Sequence, residues 1–160
     1  MQLWRLVASR YLTSALSGEG ARRYSGRWHH AGTPVVYCAS SRPLAVLELL
    51  VHVDPYQAPE QLHFLPLEVS DDRLEQLDLS TLGEGWSDQP ARDVTRDLGT
   101  AWATEGLSLG LIVPSVVLPS ETNVVLNPLH PDMGSVRVGA PEPFRFDRRL
   151  LERGDAETPS

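Results

Sequence analysis

The sequence contains no lysine, and all 14 of its basic residues are arginine. The 21 acidic residues outnumber them and give a formal net charge of −7 at pH 7. An acidic surface repels the phosphates of a nucleic acid, so the composition argues against a chain that binds DNA directly. The few cations therefore have to be interpreted one by one, by their positions.

Cysteine is scarce and long apolar runs are missing. Cys38 is the single cysteine, so the chain cannot form an internal disulfide, which is typical of proteins in reducing compartments. No apolar run approaches the ~20 residues of a membrane-spanning helix. The first ten residues also lack the basic and apolar regions of a signal peptide. These absences predict a cytoplasmic protein without a membrane partner.

A length of 160 residues with 41% hydrophobic residues suits one compact domain. We predict that the domain covers residues 1–148, and that the charged residues 149–160 form a flexible tail.

Short segments rich in β-forming residues alternate with two helical segments. The predicted strands are 2–7, 35–39, 62–69, 109–115, 124–126, 135–139 and 143–147. Pro66 suggests that the third strand is an edge strand or contains a bulge. One helix should be capped by Ser40 or Ser41 and end before Pro55; the other should cover 91–104 and stop at Gly106. The glycines between the first two strands predict an irregular loop, and the whole pattern predicts an α+β fold with mainly antiparallel sheets.

Arg27 and Trp28 lie on a turn between Gly26 and Gly32 that looks exposed. A guanidinium group forms paired hydrogen bonds with phosphate or pyrophosphate oxygens. The ring of Trp28 or Tyr37 offers a flat face to a base or a nicotinamide. A surface salt bridge is the alternative role for Arg27.

Glu48 and His52 lie four residues apart in the first predicted helix and therefore share one face. The flanking residues are apolar, which suggests that the helix is mostly buried. A buried carboxylate must be paired with a cation or be used in chemistry. The alternative is an ordinary weak pair on the surface.

A metal site built from His29, His30, His52, His130 and Glu48 is the competing interpretation of these residues. Their spacing matches no known zinc pattern, and adjacent histidines point in divergent directions. We therefore predict no metal ion.

Polar residues flank the strands of the segment 109–131. Ser115 follows one strand, and Asn123 and Asn127 flank another. A hydroxyl and amides at strand ends can orient ribose hydroxyls and a carboxamide, although turn formation explains most of them.

Together, GARRYSGRWHHAGTPVVYCASSRPLAVLELLVH and LGLIVPSVVLPSETNVVLNPLHP resemble the RES-domain family, the toxin half of bacterial RES–Xre toxin–antitoxin modules. The resemblance covers most of residues 3–138. It implies an ADP-ribosyltransferase-like fold and a toxin that cleaves the nicotinamide–ribose bond of NAD, by hydrolysis or phosphorolysis, and thereby arrests growth. NAD would be a substrate, with no cofactor and no metal. A cognate Xre-family antitoxin would neutralise the toxin, and a homodimer within their complex is compatible with this assignment.

Two alternatives remain open on the same fold: an ADP-ribosyltransferase that modifies a protein, and a non-catalytic interaction module.

The resemblance also implies the site residues. The catalytic positions would be Arg27, Tyr37, Glu48 and Ser115, and the substrate would contact Arg27, Trp28, Tyr37, His52 and Ser115, with Arg5 as a supporting member. Glu48 would stabilise the cation that forms on the ribose, and Arg27 would hold the pyrophosphate. Tyr37 would pack against nicotinamide or its ribose, Ser115 would bind the nicotinamide side, and His52 would orient Glu48. The family usually has asparagine where this chain has His29.

Overall fold

One sheet of eight strands organises the molecule, in a computed structural model that describes residues 1–52 and 61–151. The strands are β1 (Gln2–Ala8), β2 (Val36–Ala39), β3 (Leu62–Glu68), β4 (Leu74–Gln76), β5 (Gly110–Pro114), β6 (Thr122–Leu126), β7 (Arg137–Val138) and β8 (Glu142–Phe144). Their order is β4-β5-β6-β2-β1-β3-β7, and β8 also pairs with β3. Only β4 and β5 run parallel within this sheet.

Four α-helices accompany the sheet in the described ranges: α1 (Glu19–Arg23), α2 (Arg42–Leu50), α3 (Asp93–Glu105) and α4 (Arg148–Leu151). The predicted α+β fold of mainly antiparallel strands is therefore confirmed. The irregular loop predicted between β1 and β2 is partly wrong, because it contains a 3-10 helix, Ser9–Ser14, and α1. The stop at Pro55 and residues 152–160 of the predicted tail lie outside the described ranges. No described helix has the length and apolar character needed to cross a membrane.

Side chains alternate along the central strand β6 and cover both faces of the sheet. Val124 and Leu126 join one apolar cluster, with Leu3 and Leu67, whereas Val125 joins another on the opposite face. The second cluster contains two tryptophans, Trp28 and Trp102. The strands nearest the candidate site are thus fixed by packing from both sides.

Pro66 does not mark an edge strand, so that prediction is wrong. β3 pairs with β1 on one side and with β7 and β8 on the other. The carbonyl of Pro66 accepts a 2.8 Å hydrogen bond from Gly139 N. In an antiparallel strand the N–H and C=O of a residue point the same way, so the missing N–H of Pro66 faces the interval between β7 and β8 and costs no bond to β1.

The chain passes directly from β2 into α2, which positions Glu48 over the sheet. Ser41 caps the helix as predicted, because its side chain accepts a hydrogen bond from Leu44 N at 3.3 Å. The prediction of a mostly buried helix is wrong. Only Leu44 and Ala45 are buried, and Glu48 is half-buried.

Helix α3 packs against the backbone of the Arg27 turn. A Cβ atom at Gly99 would lie 1.9 Å from the carbonyl oxygen of Trp28, so only glycine permits this approach. α3 begins two residues later than predicted. It ends, as predicted, at Gly106, which adopts a left-handed φ of 61°.

Candidate active site

A cleft of about 520 Å³ opens between the Arg27 turn, α2, the middle of β1 and parts of β2 and β6. This volume lies in the usual range for small-molecule sites, ~300–1,000 Å³. All but one of the predicted site residues line it: Arg5, Arg27, Trp28, Tyr37, Glu48 and His52. Ser115 lies behind the wall and is fully buried.

One oxygen of the Glu48 carboxylate is held by two donors. Ser115 Oγ donates to Oε1 at 2.7 Å, and Asn123 Nδ2 donates to the same atom at 2.6 Å. No donor in residues 1–52 and 61–151 reaches Oε2. Within the described residues, the carboxylate therefore has one anchored oxygen and one without a donor.

The predicted contact between Ser115 and nicotinamide is not supported by this geometry. The hydroxyl donates to Glu48 and accepts a hydrogen bond from Leu118 N at 3.0 Å. The side chain is 0% exposed, so a ligand cannot reach it. In this structure Ser115 orients the carboxylate of Glu48.

Arg27 is held by carbonyl oxygens instead of carboxylates. Its Nη1 donates to Trp86 O at 2.7 Å and its Nη2 donates to Asp88 O at 3.1 Å. Burial lowers the pKa of Arg27, and the charge of Glu48 opposes this shift. An arginine stays protonated in proteins, so Arg27 contributes a full positive charge to the cleft. No carboxylate in the described part of the chain pairs with it, so the surface salt bridge considered as its alternative role is not formed there.

Hydrogen bonds of Tyr37 and His29 hold the backbone of the Arg27 turn in place. The Tyr37 hydroxyl accepts from Trp28 N at 3.1 Å and lies 2.8 Å from His29 Nδ1, while His29 Nε2 lies 2.9 Å from Tyr24 O. A carbonyl can only accept, so Nε2 carries the proton, and Nδ1 of the neutral ring accepts from Tyr37. Burial lowers the pKa of His29 and raises that of Tyr37, which favours the neutral form of both. His29 thus has a structural role.

The prediction of an exposed turn is wrong for Trp28 and His29, which are 3% and 2% exposed. The ring of Trp28 packs against Trp86 at a centroid distance of 5.9 Å. Trp28 is part of the cleft wall, but at 3% exposure it does not offer the free face predicted for a base.

His52 lies in an exposed turn after the end of α2. Within the described ranges, no hydrogen bond joins its side chain to Glu48, and the predicted positioning role falls to Ser115 and Asn123. Arg5 donates from Nη1 to Tyr37 O at 2.8 Å, and burial lowers the pKa of Arg5.

Positive charge dominates the cleft of an otherwise acidic protein. Among the described lining residues, Arg5, Arg27 and Arg96 stand against one carboxylate, that of Glu48. Arg96 was not predicted. Its Nε donates to Gly26 O at 3.1 Å across 70 residues, a contact that leaves no local signal in the sequence. Across the described residues, no group of three or more His, Cys, Asp or Glu side chains is arranged to hold a metal ion.

A family model for the RES domain matches residues 2–147 of this chain. The chain is 42% identical to "Toxin Res" of Photorhabdus laumondii over 95% of this chain and 98% of that protein, and 44% identical to "Toxin Res" of Pseudomonas putida over 94% and 100%. The chain belongs to the RES toxin family. The resemblance inferred from the motifs is therefore confirmed.

Two further comparisons extend this finding. The chain is 36% identical to the "Prs ADP-ribosylating toxin" of a Sphingobium species over 94% of this chain and 96% of that protein. The toxin–antitoxin complex MbcT–MbcA of M. tuberculosis contains a chain that superposes with a TM-score of 0.71 at 18% identity, over 94% of this chain and 86% of that one. The latter similarity concerns the fold.

Proposed function

We propose that this RES toxin breaks the bond between nicotinamide and ribose in NAD. The observation that carries the proposal is the Glu48 carboxylate, whose Oε1 is anchored by two donors while its Oε2 has no donor among residues 1–52 and 61–151, in a cleft lined by three arginines. NAD carries two phosphate charges at its centre and a positively charged nicotinamide ring at one end. A cleft with several cations and one carboxylate matches this charge distribution.

The chemistry needs a fixed anion more than it needs an acid. When the C–N bond breaks, its electron pair leaves with nicotinamide, which becomes neutral and requires no proton. The ribose is left with oxocarbenium character, and an anionic carboxylate stabilises that charge or holds the ribose hydroxyls. Glu48 would do this through Oε2, after which water or phosphate adds to the ribose.

The arginines would hold the pyrophosphate. Arg27 is the first candidate because carbonyl groups orient its guanidinium without neutralising it. Arg96 lines the same cleft and retains 24% exposure of its side chain, and its Nη1 also donates to the exposed carboxylate of Asp93 at 3.1 Å. Two guanidinium groups can share the oxygens of two linked phosphates.

Transfer of ADP-ribose to a protein is the second candidate function. Its support is the 36% identity to a relative named as an ADP-ribosylating toxin. The same bond breaks in both reactions, and only the acceptor differs. A non-catalytic module would bind NAD without breaking it.

An antitoxin would keep the activity in check inside the cytoplasm, and we propose a Xre-family protein in this role. Support comes from the similarity of the fold to a toxin–antitoxin complex. An acidic segment or chain terminus of the antitoxin would pair with Arg27 and mimic the phosphates, so that inhibition would compete with NAD. An antitoxin that inhibits fully while NAD affinity is unchanged would contradict this mode.

The decisive experiment incubates the pure protein with NAD labelled in its adenine part, with and without phosphate and a bacterial extract. Release of nicotinamide, with the label in ADP-ribose or its 1″-phosphate, supports hydrolysis or phosphorolysis. Label that becomes attached to protein supports ADP-ribosylation. If NAD binds but neither nicotinamide nor labelled protein appears, the enzymatic proposal is wrong.

A further inference from the structure

We infer that Asn123 is a positioning residue that, together with Ser115, determines which oxygen of Glu48 faces the substrate. The inference rests on the proposed function for its catalytic consequence. Its geometric part stands on the hydrogen bonds alone.

Asn123 lies on an interior strand of the sheet. It lies in β6 and pairs with Ala39 of β2 on one side and Val113 of β5 on the other. Its backbone is therefore fixed by neighbouring strands on both sides. The side chain projects toward α2, where its Nδ2 lies 2.6 Å from Glu48 Oε1.

Glu48 needs such an anchor because its own helix does not provide one. Its side chain is half-buried, and the terminal torsion of a glutamate is broad and nearly twofold, so the two oxygens can exchange. Two donors that converge on Oε1, one from β6 and one from the end of β5, select one of these orientations. Loss of either donor leaves a single hydrogen bond, about which the carboxylate can rotate.

A direct contact between Asn123 and substrate is the rival explanation, since Asn123 also lines the cleft. The two explanations differ in kinetics. A substrate contact would change the KM for NAD, whereas misplacement of Glu48 would lower kcat and leave KM nearly unchanged.

The test compares N123A and N123D with T122A. Thr122 is the neighbour of Asn123 in β6, and its side chain projects from the opposite face, outside the cleft. We expect N123A to lower kcat about 10- to 100-fold, the scale of a small misplacement of a catalytic group, with KM within about threefold. N123D should lose more, because its carboxylate removes the donor and repels Glu48. T122A should resemble the wild type in kcat and KM.

A second readout does not depend on NAD. In protein with ¹³C-labelled glutamate, the carboxyl carbon signal of Glu48 is identified by its loss in E48Q. This signal should shift or broaden in N123A but not in T122A. An unchanged signal in N123A, or a raised KM with unchanged kcat, would overturn the inference. A changed signal in a protein whose wild type releases no nicotinamide would support the positioning role and refute the proposed function.

Discussion

Substitution of Glu48 by glutamine tests the proposed chemistry most directly, because the hydrogen bonds determine how the new side chain must lie. Ser115 and Asn123 both donate to Oε1, so the amide oxygen must take that position. The amide NH₂ group then occupies the position of Oε2. A donor with partial positive charge thus replaces the anion beside the developing ribose cation.

The expected losses in stability and in rate differ widely. Both hydrogen bonds persist in E48Q but lose their ionic acceptor, which should cost about 1 kcal/mol of stability or less. Removal of one preorganised electrostatic group typically lowers kcat by ~10²–10³, or about 3–4 kcal/mol. The reversed dipole of the amide adds to this loss, so we expect a decrease of at least 100-fold.

The assay measures free nicotinamide over time, together with the thermal midpoint of each variant. Glu121 provides the matched control: its carboxylate also accepts a hydrogen bond, from Ser41 Oγ at 2.6 Å, but it does not line the cleft. E121Q should retain wild-type turnover. If E48Q, folded to the same extent, turns over NAD within about threefold of the wild type, the role assigned to Glu48 is wrong.

Substitutions at three further positions test the surroundings of Glu48. R27A should weaken NAD binding, measured by calorimetry, more than R27K, which keeps the charge but not the paired donors; wild-type affinity in both would refute the pyrophosphate contact. Burial lowers the pKa of His29 below its ordinary value of about 6.5. As the pH falls, the unfolded chain therefore binds a proton at this histidine before the folded protein does. The free energy of unfolding should decrease as the pH drops below about 6.5. Denaturant titrations should show a flatter pH dependence in H29N, and equal slopes would contradict this role. G99A places a Cβ atom 1.9 Å from Trp28 O. We expect it to lower the free energy of unfolding by more than the roughly 1–3 kcal/mol that overpacking usually costs. An unchanged midpoint in the same titrations would refute the tight approach of α3.

Local patterns in the sequence were sufficient to predict the strands and helix ends around the site. Ser41 and Gly106 marked helix ends because capping involves only neighbouring residues. The order of the motifs identified the family, and short segments rich in β-forming residues placed β1, β2 and β3 within one or two residues of their observed bounds. Arg27, Tyr37 and Glu48 were predicted together, and the fold places all three on one cleft.

The tertiary structure alone decided what each of these side chains does. Ser115 and Asn123 reach Glu48 across 67 and 75 residues, and Arg96 reaches the Arg27 turn across 70. The burial of Trp28 likewise depends on packing with distant residues such as Trp102. A sequence pattern reports which residues are neighbours along a helix or strand. It does not report which oxygen of a carboxylate receives a donor from another strand, because that choice is made only when the sheet brings the two segments together.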